Sequence, residues 1–581
     1  MTAVSGTVEW GIVPTNNTSS QLAEMSWSAR GNKLKSANDS LRYQVQWLYG
    51  GITEAEEVTL EGGVINVIFK VETSVDDTNF TTIGTIKKSR DVVNKKYDNE
   101  SAPIGHRFTI DVSRLVSDQL SYSLCPMNKG TWQSPFYGGM NGGLTMQDNV
   151  ISGTGGVGNP VSDYNVSQNG TFRRLRVSAT FDILDSNLDI VTSTTTLNSY
   201  ATISVINSVN QFERDDVYYY GQFLINQNGV TSNLPKRFLT RCPNWYYDDT
   251  ENKVAYHKSV RMDDDAEFLQ WYVDVLQDDV STEPYEYSEI YGVAYKEDGS
   301  TTEFILADFN SLLADKNPTQ FETIQRRMLI QNVSPAFIND NAYTPQLGAL
   351  RPYNVSVSPI TSNVYKYSLN FRGRYYVTTT TTWVTITQSA TNWYEIDRET
   401  KNTAYEYVRF HWLNSMGGID SYTAKRSVVE GLTISRDVVE RKSRDRTWYQ
   451  ANSGAVNSAE VNVADTSYIS DTMRGGDLYK GGREVLGVNA ERVQSVYTDP
   501  LNMSVSKWLE EIMLSPNVWI EKDTDATARG NLANPYLRPS TKGYIPVIIT
   551  NNDIETVNQE NGLVRFNIEY TFGHKVQTQR N

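Results

Sequence analysis

In the middle of this 581-residue chain, acidic residues crowd against aromatic ones. Asp215-Asp216 precede Tyr218-Tyr219-Tyr220, Asp248-Asp249 follow Trp245-Tyr246-Tyr247, and Asp263-Asp264-Asp265 come soon after. Two carboxylates about 5–10 Å apart on either side of a glycosidic bond are what its hydrolysis requires. Aromatic platforms beside them would stack on the sugar, so Trp245, Tyr246 and Tyr247 are candidate glycan-binding residues. Adjacent acids, however, point to opposite faces of a strand or share a turn, and neighbouring aromatics pack as cross-strand pairs. Solvated turn acids beside sheet aromatics are the reading we favour.

Other chemistry fails on spacing. The four histidines, His106, His257, His411 and His574, are never arranged as H-E-x-x-H or H-x-H, and no G-x-S-x-G elbow appears. Gly153-Thr-Gly-Gly-Val-Gly158 fits G-x-G-x-x-G, but Asn159-Pro160 follow where a helix must begin. Gly476 to Arg483 has the outline of a phosphate loop, with Gly482-Arg483 standing where Lys-Ser/Thr is required. Asp523-Thr-Asp525-Ala-Thr527 opens like a calcium loop, yet Ala528 and Asn534 occupy the places of its glycine and bidentate glutamate. We therefore expect no enzyme, no cofactor and no metal site.

Charge narrows the partners. Lys and Arg number 53 against 68 Asp and Glu, a formal charge of −15. A protein that tracks phosphates needs a basic face, so nucleic acid is not expected as a partner. Between Lys425 and Arg446 seven basic residues interleave with Glu430, Asp437, Glu440 and Asp445. Mixed signs suit a charged seam or a solvated strand face. Cys125 and Cys242 are too few and too far apart for a disulfide framework. Residues 1–20 show neither a charged leader nor an apolar core, so no secretion signal is expected. Apolar stretches such as Tyr544–Ile549 are strand-sized, too short for about 30 Å of lipid, so no membrane span is expected.

The elements that would position these residues are strands. Leu175, Val177, Ala179, Phe181 and Ile183 alternate with polar residues, as do Val564, Phe566, Ile568, Tyr570 and Phe572. Phe108, Ile110 and Val112 repeat the pattern, and so do Tyr365, Tyr367, Leu369 and Phe371. Such alternation means antiparallel sheets with one wet face. The expected fold is mainly β: several antiparallel β-sandwich domains with long loops and one short amphipathic helix near the C-terminus. That helix begins near Ser504 as N-cap, carries Val505, Trp508, Leu509, Ile512 and Met513 on one stripe, and stops at Pro516.

Composition suggests boundaries. Residues 1–136 read as an N-terminal β domain and the Gly/Asn-rich 137–170 as a linker or loop. Residues 171–345 read as central β structure, 346–450 as a sandwich domain, 451–485 as a long loop, and 486–581 as a helix-plus-strands segment. Loops this long are uncommon unless functional or ordered by a partner.

Two segments carry a resemblance. The first runs Tyr405-Glu-Tyr-Val-Arg-Phe-His-Trp-Leu-Asn-Ser-Met-Gly-Gly-Ile-Asp-Ser-Tyr-Thr423, an aromatic strand followed by W-L-N-x-x-G-G-x-D-x-[YF], with Val439-Glu-Arg-Lys442 after it. The second is Trp508-Leu-Glu-Glu-Ile-Met-Leu-Ser-Pro-Asn-Val-Trp-Ile-Glu521, with Ile545-Pro-Val-Ile-Ile-Thr550 and the strand from Val564. Both resemble blocks of virion structural proteins of tailed bacteriophages, notably crAss-like phages and marine phages of Bacteroidetes. Arg237-Phe-Leu-Thr-Arg-Cys-Pro243 is a weaker echo of the middle of such proteins, and the first 170 residues add nothing to it.

In physical terms the first block is a hairpin: Gly417 and Gly418 can take positive φ, and Asn414 and Asp420 can cap the turn. The resemblance implies a tail or connector component, a ring-like homo-oligomer of six or twelve copies that contacts other virion proteins. It implies location in the virion after synthesis in the host cytoplasm. Interaction candidates on these blocks are Trp412, Asn414, Gly417, Gly418, Asp420, Arg441, Lys442, Trp508 and Trp519. A receptor- or carbohydrate-binding virion protein is the alternative, and a glycan-degrading enzyme a more distant one.

Overall fold

The computed structural model describes residues 7–12, 34–49, 62–74, 79–91, 104–120, 123–124, 140–141, 144–145, 172–191, 195–198, 202–209, 238–247, 252–262, 267–273, 285–308, 327–335, 338–339, 358–377, 382–387, 389–398, 408–425, 428–441, 482–523, 542–551 and 563–573. The fold is mainly β, with antiparallel sheets arranged around three hydrophobic cores.

In the first unit, strands Thr7–Ile12, Arg42–Tyr49 and Ile104–Asp111 form a three-stranded antiparallel sheet. Against it lies a sheet in which strand Val64–Ser74 pairs with Thr81–Asp91 on one side and with the central strand Phe172–Leu184 on the other. Val45, Trp47 and Phe108 from the first sheet meet Val67, Phe69, Val177 and Phe181 from the second. The two inner faces thus make a sandwich, and the alternation from Leu175 to Ile183 is buried as its period of two predicts. Phe172–Leu184 is bonded to Val64–Ser74 along eleven residues, so both sides of the 137–170 segment close one core. The boundary expected at 171 therefore does not separate cores.

The second unit centres on Val364–Val377, flanked by Tyr285–Lys296 and Asn392–Asp397. His257–Arg261 joins the edge in parallel with Asn392–Asp397. Tyr367, Leu369 and Phe371 are buried, but Tyr365 is exposed while Val364 enters the core. The ladder shifts between Tyr295 and Lys296, and that irregularity breaks the expected alternation at its first member.

The third unit is a seven-stranded antiparallel sheet in the order Ile419–Ala424, Val408–Leu413, Val518–Asp523, Lys542–Ile549, Asn567–Phe572, Gly482–Tyr497, Val428–Arg441. Residues on both sides of 451–485 therefore share one sheet, and the expected division between 346–450 and 486–581 falls inside it. A helix, Met503–Leu514, covers one face. It buries Val505, Trp508, Leu509 and Ile512, each contributing about 1.5–3 kcal/mol. Its N-cap is Asn502 rather than Ser504, because the Asn502 side chain accepts from the Val505 amide at 3.0 Å. Ser515 closes the helix one residue before Pro516. A second, five-residue helix, Ser113–Ser117, lies in the first unit and is additional to the one expected. Among the described residues no helix is long and apolar enough to cross a membrane.

Candidate functional site

Strand Val408–Leu413 is buried at all six positions. Val408, Phe410 and Trp412 face the helix, and Trp412 packs on Trp508 with ring centroids 5.3 Å apart. Arg409 and His411 point the other way. Arg409 donates to Glu267 at 2.6 Å and to Thr423 at 2.6 Å. His411 packs on Phe268 and Tyr544, with Nε2 donating to Glu521 at 2.9 Å. A strand with partners on both faces cannot alternate wet and dry, so its charged residues must be paired inside.

The turn after this strand is built for close approach. Asn414 accepts from the amides of Met416 at 3.0 Å and Gly418 at 2.8 Å, and donates to the Leu239 carbonyl at 2.8 Å. Gly417 has φ of 83°, a conformation that side chains resist. Gly418 is needed for a different reason: a Cβ there would stand 2.0 Å from the Leu239 carbonyl oxygen. The expectation of positive φ thus holds for Gly417 alone.

At the centre is Asp420, fully buried. Its Oδ2 accepts from Asn414 at 2.9 Å and from the Trp508 indole at 3.0 Å. Its Oδ1 accepts from the Thr240 hydroxyl and from Lys258 at 3.3 Å. Lys258 also donates to Glu267 at 2.9 Å. Burial alone would lower the Lys258 pKa, but Glu267 and Asp420 outweigh it and raise it well above the ordinary lysine value. An amine held as ammonium is no nucleophile.

A second ion pair seals the rim. Glu511, on the buried face of the helix, pairs with Arg241 at 3.0 Å and accepts from Ser415. Burial raises the Glu511 pKa, and Arg241 opposes the rise. Beside the cluster opens a cleft of about 320 Å³, walled in part by Tyr246, Lys258, Glu395, Lys425, Asp499 and Trp508. That is the low end of small-molecule sites.

The sequence candidates divide accordingly. Trp412, Asn414, Gly417, Gly418, Asp420, Trp508 and Trp519 are all buried, so their contacts lie within the chain. Asn414, Gly417, Gly418, Asp420 and Trp508, with Trp412 packed on Trp508, form an internal joint rather than an exposed interface, because the turn is spent on Leu239, Thr240, Lys258 and the helix. Trp519 lies opposite His411 on the neighbouring strand. Arg441 ends a peripheral strand and Lys442 lies outside the described residues. Trp245 is 40% exposed, with the Lys253 ammonium 4.0 Å from its ring centre, and Tyr246 lines the cleft. The Tyr247 side chain and the acids at 215–216, 248–249 and 263–265 lie outside the described residues, as do Gly153–Gly158 and His574. Cys125 does too, whereas Cys242 is a buried free thiol.

Sequence reasoning missed Lys258, Glu267, Arg241, Glu511 and Glu521 as members of the joint. Arg409 and His411 inside the apolar run Val408–Leu413 were the one local signal of buried pairing. A search of family models and a search of curated proteins each found no match for this chain.

Proposed function

We propose that this chain is a structural protein of a tailed-bacteriophage virion, a tail or connector component whose copies close into a symmetric ring and bind neighbouring virion proteins. One observation carries the reading. The segments that resemble such proteins, far apart in sequence, converge on a single joint: Asp420 from the first block bonds Trp508 of the second and Thr240 of the Arg237–Pro243 echo. The buried carboxylates of the joint, Asp420 and Glu267, are matched by Lys258 and Arg409, which suits a part that fixes one sheet against another. We accordingly propose no catalytic activity and no cofactor. Six or twelve copies per ring, residence in the virion and synthesis in the host cytoplasm complete the proposal.

Peptide mapping of purified particles, with negative-stain imaging of the isolated protein, tests it. Peptides of this chain in mature virions and a closed cyclic assembly are expected; their absence from virions would sink the proposal. A carbohydrate- or receptor-binding role has one supporting observation, the exposed Trp245 beside the Tyr246-lined cleft. Lys253 over the Trp245 ring occupies a face on which a sugar would stack. Glycan-array binding that disappears in Trp245→Ala would favour this second role.

A further inference from the structure

The strand Val428–Arg441 is the outer edge of the seven-stranded sheet, paired only with Gly482–Tyr497 among the described residues. Among the described residues its partner is held by the rest of the sheet only through Val493–Tyr497, which pairs with Asn567–Thr571. Beyond Val493 the two strands run on as a two-stranded arm, and residues 431–438 are exposed without interruption. An isolated two-stranded ribbon is marginal in water.

One face of the arm is mostly apolar, with Arg436 and Arg492 as its charged members. Register places Leu432 opposite Arg492, Ile434 opposite Ala490, Arg436 opposite Val488, and Val438 opposite Val485. Side chains opposite one another share a face, so Leu432, Ile434, Val438, Val485 and Val488 lie together, all more than 40% exposed. Val428 and Val496 on the same face belong to the core under the helix. The covered face of the sheet therefore continues outward with no cover among the described residues.

We propose that a second copy of this chain pairs its own Val428–Arg441 strand antiparallel to this one, about a two-fold axis at Thr433. Three observations commit to that occupant. Among the described residues the outer edge has no strand paired to it, and such an edge is the usual template for strand addition. A two-fold axis perpendicular to the sheet keeps apolar face beside apolar face. Among registers that do so, the one centred on Thr433 sets Glu430 opposite Arg436 twice over, Leu432 opposite Ile434, and Val428 opposite Val438. Arg436 has no ion-pair partner in its own chain among the described residues, whereas Glu430 already meets Arg492 at 3.1 Å and retains acceptor capacity. Copies carrying −15 repel in general, but the described arm side chains Glu430, Asp437 and Glu491 are nearly balanced by Arg436 and Arg492.

The contact is isologous and makes pairs by itself, so it goes beyond the ring reading and does not depend on it.

The test uses the full chain, with Cys125→Ser to remove the second thiol. Light scattering is expected to give a dimer or an even-numbered assembly. Arg436→Glu should weaken its association roughly tenfold, since two attractive pairs become repulsive. Under mild oxidation Thr433→Cys should yield a covalent dimer, because the axis sets Thr433 against itself. Val429→Cys, set against Asp437, should not. Urea unfolding of each variant checks that the fold is intact. A monomer at micromolar concentration would overturn the proposal and point to the chain's own residues 442–481 as the cover. Equal cross-linking at both positions, or association unchanged by Arg436→Glu, would also overturn it. A ring that does not cross-link at Thr433 would overturn the arm contact and leave the ring reading standing. A cross-linked pair from a chain absent from virions would do the reverse.

Discussion

Replacing Asp420 by alanine removes the acceptor on which four donors converge: the Thr240 hydroxyl, Lys258, the Asn414 amide and the Trp508 indole. Removing one partner of a buried ion pair costs about 3–5 kcal/mol, and an orphaned buried donor about 1–3. These costs overlap, because Lys258 keeps Glu267 at 2.9 Å and Asn414 keeps the Leu239 carbonyl at 2.8 Å. Thr240 and Trp508 lose the carboxylate oxygens they donate to. The expected loss is about 4–5 kcal/mol, against a whole-domain stability of about 5–15. Urea unfolding followed by tryptophan fluorescence reads it directly, since Trp412 and Trp508 lie side by side above the carboxylate. Hydrogen exchange at the Met416 and Gly418 amides, both held by Asn414, should rise in parallel. Asp420→Asn is the sharper control. It keeps the shape and one acceptor but turns an NH2 toward either the Asn414–Trp508 pair or the Thr240–Lys258 pair, so it too should be markedly destabilised. A loss below about 1.5 kcal/mol for Asp420→Ala would refute the idea that this carboxylate organises the joint.

Gly418→Ala should destabilise as severely as a disruptive core substitution, with Gly431→Ala near neutral by comparison, because its added Cβ meets nothing nearer than 3.9 Å; thermal melts compare them. Lys258→Met leaves Glu267 and Asp420 as buried carboxylates without their shared ammonium, and about 3–5 kcal/mol should be lost at neutral pH. Because the folded pKa of Lys258 is raised, its stabilisation is complete below the unfolded value near 10.5 and fades as pH rises through the higher folded value. Wild-type melts should therefore decline at strongly alkaline pH with a component missing from Lys258→Met. Asn502→Ala removes the helix cap and should cost about 1 kcal/mol by the same urea assay, with Ser504→Ala costing less.

Features fixed by neighbouring residues were legible in the sequence. Period-two alternation at Leu175–Ile183 and Tyr367–Phe371 marks strands because successive side chains leave a pleat on opposite sides. The stripe Val505, Trp508, Leu509, Ile512 marks a helix because those positions share a face. The turn at Gly417 was legible because few residues tolerate its φ. Glu511 shows where such reasoning ends: it sits among exposed-looking helix charges, yet Arg241, 270 residues away, draws it inside. Gly418 likewise carries no local sign that the Leu239 carbonyl will lie against it.

The sequence by itself determined the β class, the acidic charge, the short amphipathic helix near the C-terminus and the turn chemistry, since each depends on composition or on spacings of a few residues. Tertiary structure alone decided which strands share a core across residues 137–170 and 451–485. It decided too that Asp420, Lys258 and Glu267 neutralise one another, and that one face of Val428–Arg441 has no cover among the described residues. Pairing of strands and charges over such separations is set by which surfaces exclude water together, and no short window of sequence contains that information.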